Sequence, residues 1–151
     1  MPIDTQMPAP VAETVRRPTH PALLHVAAAA LAGSLLTDIA YWRSAEMMWA
    51  NFSAWLVSAG TLVGLVAVLV GLFDWMTGRL RGIGPAGRWR LLGYLLAWVL
   101  AVVNAFVHTR DGWTSVVPWG LTLSAITVLV IIVSGVLGRR RSGRLQERVV
   151  V

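Results

Sequence analysis

The sequence predicts an all-α protein, a four-helix up-and-down transmembrane bundle with both termini cytoplasmic. Three observations predict it. Of 151 residues, 56% are hydrophobic and 13% charged, and the mean hydropathy is +0.67, well outside the balance of a soluble domain. Uncharged runs occupy 52–73, 91–107 and 112–138, and a first stretch at 21–41 holds one formal charge, Asp38. All thirteen basic residues are arginine. Arg16 and Arg17 precede the first stretch, Arg79, Arg81, Arg88 and Arg90 separate the second from the third, and Arg139, Arg140, Arg141, Arg144 and Arg148 follow the fourth. Only Arg43 and Arg110 fall in the other two connections. Short arginine-rich loops stay in the cytoplasm, so this bias orients four spans.

Residues 1–18, rich in proline and polar residues, are expected to form a disordered cytoplasmic tail ahead of a transmembrane domain at 19–138. The first span, about 21–42, ends in Tyr41-Trp42-Arg43. That is an interfacial anchor rather than a signal-peptide cleavage site, so the helix is retained. Its phase is the least defined of the four. His25 shares one face with Ala29, Ala32 and Leu36, and Asp38 shares another with Ala27, Leu31 and Ser34.

The second span, about 49–76, collects Gly60, Gly64, Ala67, Gly71 and Asp74 on one face, a seam that lets backbones approach. The turn Gly82-Ile83-Gly84-Pro85 leads to the third span, about 89–108, where Arg90, Tyr94, Ala97, Ala101, Asn104 and His108 align. The fourth, about 113–138, aligns Gly120, Ser124, Thr127, Ser134, Gly135 and Gly138, with Pro118 bending its start at most. Residues 139–151 form a basic cytoplasmic tail in which Arg139, Arg140 and Arg141 face anionic headgroups at about 1 kcal/mol each. Six of the eight tryptophans fall at an interface in this arrangement, as integral proteins require.

Depth then sorts the polar residues into two clusters. An inner one holds His20, His25, Asp74 and Arg90, with His25 and Asp74 the most suggestive pair. An outer one holds Asp38, Tyr41, Asn104 and His108, with Arg43 and Arg110 nearby. An unpaired charge at a helix centre costs about 3 kcal/mol or more, so such groups pair or face water. The plainer reading makes each aspartate a helix-end cap and each histidine a hydrogen-bonded packing residue.

His20-Pro21-Ala22-Leu23-Leu24-His25 opens the first helix, Gly71-Leu72-Phe73-Asp74-Trp75 closes the second, and Ser134-Gly135-Val136-Leu137-Gly138 closes the fourth. With this helix spacing, residues 20 to about 145 resemble the bacterial integral-membrane family called domain of unknown function 2231. The resemblance implies a bacterial inner-membrane protein that accompanies a redox partner, as an anchor or as a carrier of haem b. It also implies a histidine at the start of the third helix opposite the one in the first. Here that position is Arg90, and Arg139-Arg140-Arg141 replaces the family's usual tail.

Three functions stay open on these residues. The first is a non-catalytic membrane anchor or subunit of a redox partner, with small-residue seams suited to homo-oligomers as well. The second is a haem-binding electron-transfer protein using the region of His25 and His20. His25 and His108 lie roughly 25 Å apart by helical rise and cannot share an iron; the remaining pairings are His25 with Met76 or His20, and His108 with Met47 or Met48. The third is a proton or small-solute transporter, for which the middle of the bundle supplies only Tyr94, Ser124 and Thr127.

Other classes find no support. The chain has no cysteine for disulfides, iron–sulfur clusters or thiolate zinc. It shows no phosphate loop, nucleophile elbow or His-Glu-x-x-His, so no catalytic or metal-binding residue is assigned. The net charge of +6 sits at the membrane edges rather than on a nucleic-acid-binding surface.

Overall fold

The structure is a computed structural model and describes residues 20–78, 85–110 and 116–147. Four long helices account for nearly all of them: α1 (His20–Ser44), α2 (Met47–Met76), α3 (Pro85–His108) and α4 (Leu121–Glu147). Four segments are long and apolar enough to cross a membrane, Ala22–Ser44, Met47–Met76, Gly87–His108 and Val116–Leu137, so the all-α four-span class holds. The tail at 1–18 lies outside the described residues, as do Arg79, Arg81 and Trp113. The α4 backbone stays helical past residue 138, through the arginine run to Glu147.

Two links set the register. Between α1 and α2 only Ala45 and Glu46 intervene, and Ala45 adopts φ 57° while its N–H donates to the Tyr41 carbonyl at 2.8 Å. This single left-handed residue closes the helix end and reverses the chain, at about 1 kcal/mol for a residue with a Cβ. The turn is tight enough to bring Asp38 and Ser53 level, each two turns from it. At the far end of α2, Gly78 takes φ 74° and donates to the Trp75 carbonyl at 3.1 Å, a conformation glycine adopts without strain.

Ahead of α4, Val116–Gly120 is kinked rather than gently bent, because Val117 is extended (φ −120°, ψ 128°) and the Val117–Pro118 peptide is cis. The proline ring crowds the preceding residue out of the helical region, so Pro118 starts the fourth span with a break where the sequence suggests a bend. Val116 is buried there beside Tyr41 and Ala50, which closes the bundle end that carries the α1–α2 turn.

The helices pack as a ring, α1 on α2, α2 on α3, α3 on α4 and α4 back on α1, with the longest contacts between α1 and α2 and between α3 and α4. The interior is small and polar: the largest fully buried side chains are Val57, Val116, Asn104, Thr127, Asp38, Ser34, Ser53 and Ser124. The exterior carries the bulk, including Leu36, Leu62, Phe73, Phe106 and Leu129. A water-soluble fold does the reverse; a bundle in lipid gains nothing by hiding leucine and assembles through close backbone approach and interhelical hydrogen bonds. Some buried hydroxyls return to their own helix, as Thr127 Oγ1 does to the Leu123 carbonyl at 2.7 Å and Ser134 Oγ to the Val130 carbonyl at 2.6 Å.

Phase on α1 is resolved in favour of Asp38. Ala27, Leu31, Ser34, Asp38 and Tyr41 are buried, whereas His25, Ala29 and Leu36 are exposed. On α2 the seam runs further than Gly60–Asp74, back through Val57 and Ser53 to Ala50.

The closest approach joins α3 to α4. A Cβ built on Gly93 would sit 1.9 Å from Ser134 Oγ and 2.7 Å from its Cβ. Gly93→Ala is therefore expected to destabilise the purified bundle by about 2 kcal/mol in SDS-unfolding titrations, with Ser134→Gly in the same chain restoring most of the loss. Gly71→Ala, whose Cβ meets nothing within 4 Å, is expected to change stability by less than about 0.5 kcal/mol. Equal losses at the two glycines would reject the α3–α4 contact.

Candidate functional site

One polar centre draws on all four helices. Asp38 of α1 is completely buried, and both carboxylate oxygens are engaged. Ser124 of α4 donates its hydroxyl to Oδ2 at 2.6 Å. Ser53 of α2 donates to Oδ1 in a short hydrogen bond. His108 of α3 brings Nε2 to 3.0 Å from Oδ1 and 3.0 Å from Ser53 Oγ. One turn earlier on α3, Asn104 Nδ2 donates to Ser124 Oγ at 2.8 Å. The outer cluster of the sequence thus forms in its essentials, with Asp38, Asn104 and His108 together and two serines added.

His108 Nδ1 lies 3.0 Å from the Asn104 backbone carbonyl, which can only accept, so Nδ1 carries a proton. Nε2 faces a carboxylate oxygen and a hydroxyl, so both ring nitrogens have partners. A carboxylate inside a bilayer needs such partners on every side.

Ser124 also fixes the Asn104 amide. Its single hydroxyl proton goes to Asp38, so it must accept from Asn104, and Asn104 Oδ1 is left without a hydrogen-bond partner among the described residues. Serine, histidine and aspartate in one place do not make a hydrolytic triad here. In a triad the two partners occupy opposite ring nitrogens; here Ser53 and Asp38 share Nε2, and Nδ1 is taken by the backbone. On the side towards the chain termini the centre is bounded by the apolar cluster of Leu31, Val57 and Ala101.

The other candidates lie apart from this centre. Tyr41 is buried one turn on, its hydroxyl directed to Met47 Sδ at 4.0 Å, and Arg43 and Arg110 are exposed. His25 is exposed and Asp74 is buried near the C-terminus of α2. The side chains of His20, Arg139, Arg140 and Arg141 lie outside the described residues. Arg90 is exposed at the start of α3.

Ser53 is the residue of the centre that sequence reasoning misses. It lies seven residues before Gly60 on the same face, and following the seam by fours and threes, through Val57, leads to it. The polar stripe of the fourth span marks Ser124 as inward-facing, but its bond to Asp38 depends on how α4 is placed against α1.

Both nitrogens of His108 are occupied, so it offers no lone pair to a haem iron. A cavity of about 470 Å³, lined mainly by α1, α2 and α3 on the side of the chain termini, has no histidine or methionine in its lining. Met76 is strongly exposed and Met47 and Met48 also face outward.

A family model described as "Predicted membrane protein (DUF2231)" matches residues 16–149. No curated protein and no solved structure matches the chain.

Breaking the centre should be more damaging than removing it. Asp38→Ala leaves His108, Ser53 and Ser124 buried without the carboxylate they share, and the loss expected is about 3 kcal/mol. The double variant Asp38→Leu/His108→Leu is expected to lose clearly less than the sum of the two single leucine variants, as read in unfolding titrations of the detergent-solubilised protein. Strict additivity would show that the two side chains do not act as a pair.

Proposed function

The chain belongs to the DUF2231 family of predicted membrane proteins, and we propose that it is a non-catalytic membrane anchor or subunit that holds a redox partner at a bacterial inner membrane. The observation that carries this reading is the commitment of the polar interior. Both oxygens of Asp38 and both nitrogens of His108 are used to tie helices to one another, so the charged centre works as a clamp.

The connections support the same reading. The α1–α2 link is two residues long, and the links from Met76 to Pro85 and from His108 to Val116 are short. None has the length for a domain outside the membrane, so the links between the helices carry no redox centre of their own. The arginine bias makes the termini end cytoplasmic and supplies an anionic-lipid contact there. The apolar exterior leaves lateral faces for a partner helix or a second copy.

Two measurements test the proposal. After extraction in mild detergent, a tagged chain is expected to bring down a stoichiometric partner with flavin or haem absorbance. A monodisperse chain with no crosslinked partner in native membranes would overturn the anchor reading. Orientation is read with cysteines placed in this cysteine-free sequence: Glu46→Cys is expected to react with an impermeant maleimide on intact cells, and Thr77→Cys only after permeabilisation. The reverse pattern would invert the topology.

A further inference from the structure

The cavity of about 470 Å³ is a groove along the side of the bundle, bordered by Leu24 and Ala67, Gly71 and Trp75, Leu91 and Leu95 among others. It is apolar throughout, Tyr94 being the one lining residue with a polar group beyond the tryptophan N–H. Its inner part is packed: a Cβ on Gly60 would meet Leu31 at 2.9 Å, and one on Gly64 would meet Trp98 at 2.7 Å. Its outer part is open, since nothing lies within 4 Å of a Cβ on Gly71. The open part is thus the one nearest the bundle end where α2 finishes and α3 begins.

That end is cationic. Arg88 lies three, four and seven residues before the lining residues Leu91, Leu92 and Leu95, and Arg90 lies four before Tyr94. Helical spacing therefore places Arg88 on the flank of α3 that carries Leu91 and Leu95 and Arg90 on the flank that carries Tyr94, so the two arginines bracket the groove-lining side. Both are exposed, and neither forms an ion pair with a described residue. Trp75 and Trp89, also exposed, mark this level as the headgroup boundary. Asp74, the acidic residue of α2 at this level, is buried.

We propose that this groove binds one anionic phospholipid, with an acyl chain against Gly71 and the headgroup phosphate on Arg88 and Arg90. Shape favours a flexible acyl chain over a helix about 10 Å across, because Trp98 fills the groove at Gly64 and only the part beside Gly71 is open. Charge favours an anionic headgroup over a zwitterionic or uncharged one, and Arg can hold a phosphate through two parallel N–H donors.

The test uses full-length protein exchanged into nanodiscs holding either phosphatidylglycerol or phosphatidylcholine, released and weighed by native mass spectrometry. Wild type is expected to retain one phosphatidylglycerol per chain and little phosphatidylcholine. Gly71→Leu, which fills the open part without striking backbone, is expected to lower retention at least tenfold, while Gly71→Ala keeps it. Arg88→Gln/Arg90→Gln is expected to reduce the preference for phosphatidylglycerol roughly thirtyfold, from about 1 kcal/mol per arginine. Because these arginines are exposed, that variant tests the headgroup contact even where Gly71→Leu fails to fold. Absence of retained lipid in wild type, or retention equal in all variants, would overturn the proposal. So would an uncharged isoprenoid in its place, or a change of oligomeric state with Gly71→Leu in place of lipid loss.

Discussion

A carboxylate placed in the interior of a membrane bundle is the constraint on which the rest of this structure depends. Asp38 cannot keep its charge there alone, and no single neighbouring helix can supply four lone-pair partners with the geometry a carboxylate needs. The solution recruits one element from each of the other helices: Ser53, His108 with its supporting Asn104, and Ser124. Each helix is therefore fixed in rotation and in height by a contact to the same few atoms. The two-residue turn at Ala45 and the break at Val117 serve that arrangement. They keep the ends of α1, α2, α3 and α4 close enough to bring the partners level.

In lipid, this division of labour is physically sensible. Leucine and phenylalanine on the exterior exchange one apolar neighbour for another and contribute little to association, so specificity must come from elsewhere. It comes from small residues that allow contact, as at Gly93 against Ser134, and from a polar centre that tolerates few arrangements. Hydrogen bonds to both carboxylate oxygens make such a centre compatible with its surroundings, and the apolar cluster of Leu31, Val57 and Ala101 lies between it and the other end of the bundle.

Much of this arrangement is legible in the amino-acid sequence. Runs of apolar residues and the arginine bias define four spans, and the faces on α2, α3 and α4 follow from small and polar residues recurring at helical spacing. On α1 both faces are mostly alanine and leucine, so periodicity alone does not choose between His25 and Asp38. Burial chooses Asp38, because a carboxylate has more to gain from three partners than a histidine that can leave its ring at the surface. Ser53 is harder to see because bulky Asn51, Phe52 and Trp55 surround it and Val57 interrupts the run of small residues between it and Gly60. The kink at Val117 is readable from the Val-Pro pair, yet its size depends on how Val116 packs under Tyr41.

The groove is not legible in the sequence at all, since it arises from the separation of two helices rather than from the composition of either. Its origin lies in Trp98. The indole of this residue inserts against Gly64, where any larger side chain would collide with it, and its Nε1 donates to the Thr61 carbonyl at 3.0 Å. An indole is thus both a hydrogen-bonded tie and a spacer between α2 and α3. Beyond it, towards the termini, α2 carries Gly71 where a larger side chain would reach across to α3. At the turn end the polar centre holds the two helices at a defined height. The bundle therefore pairs a tightly constrained polar end with an end that offers space, and tryptophan rather than any loop sets the boundary between them.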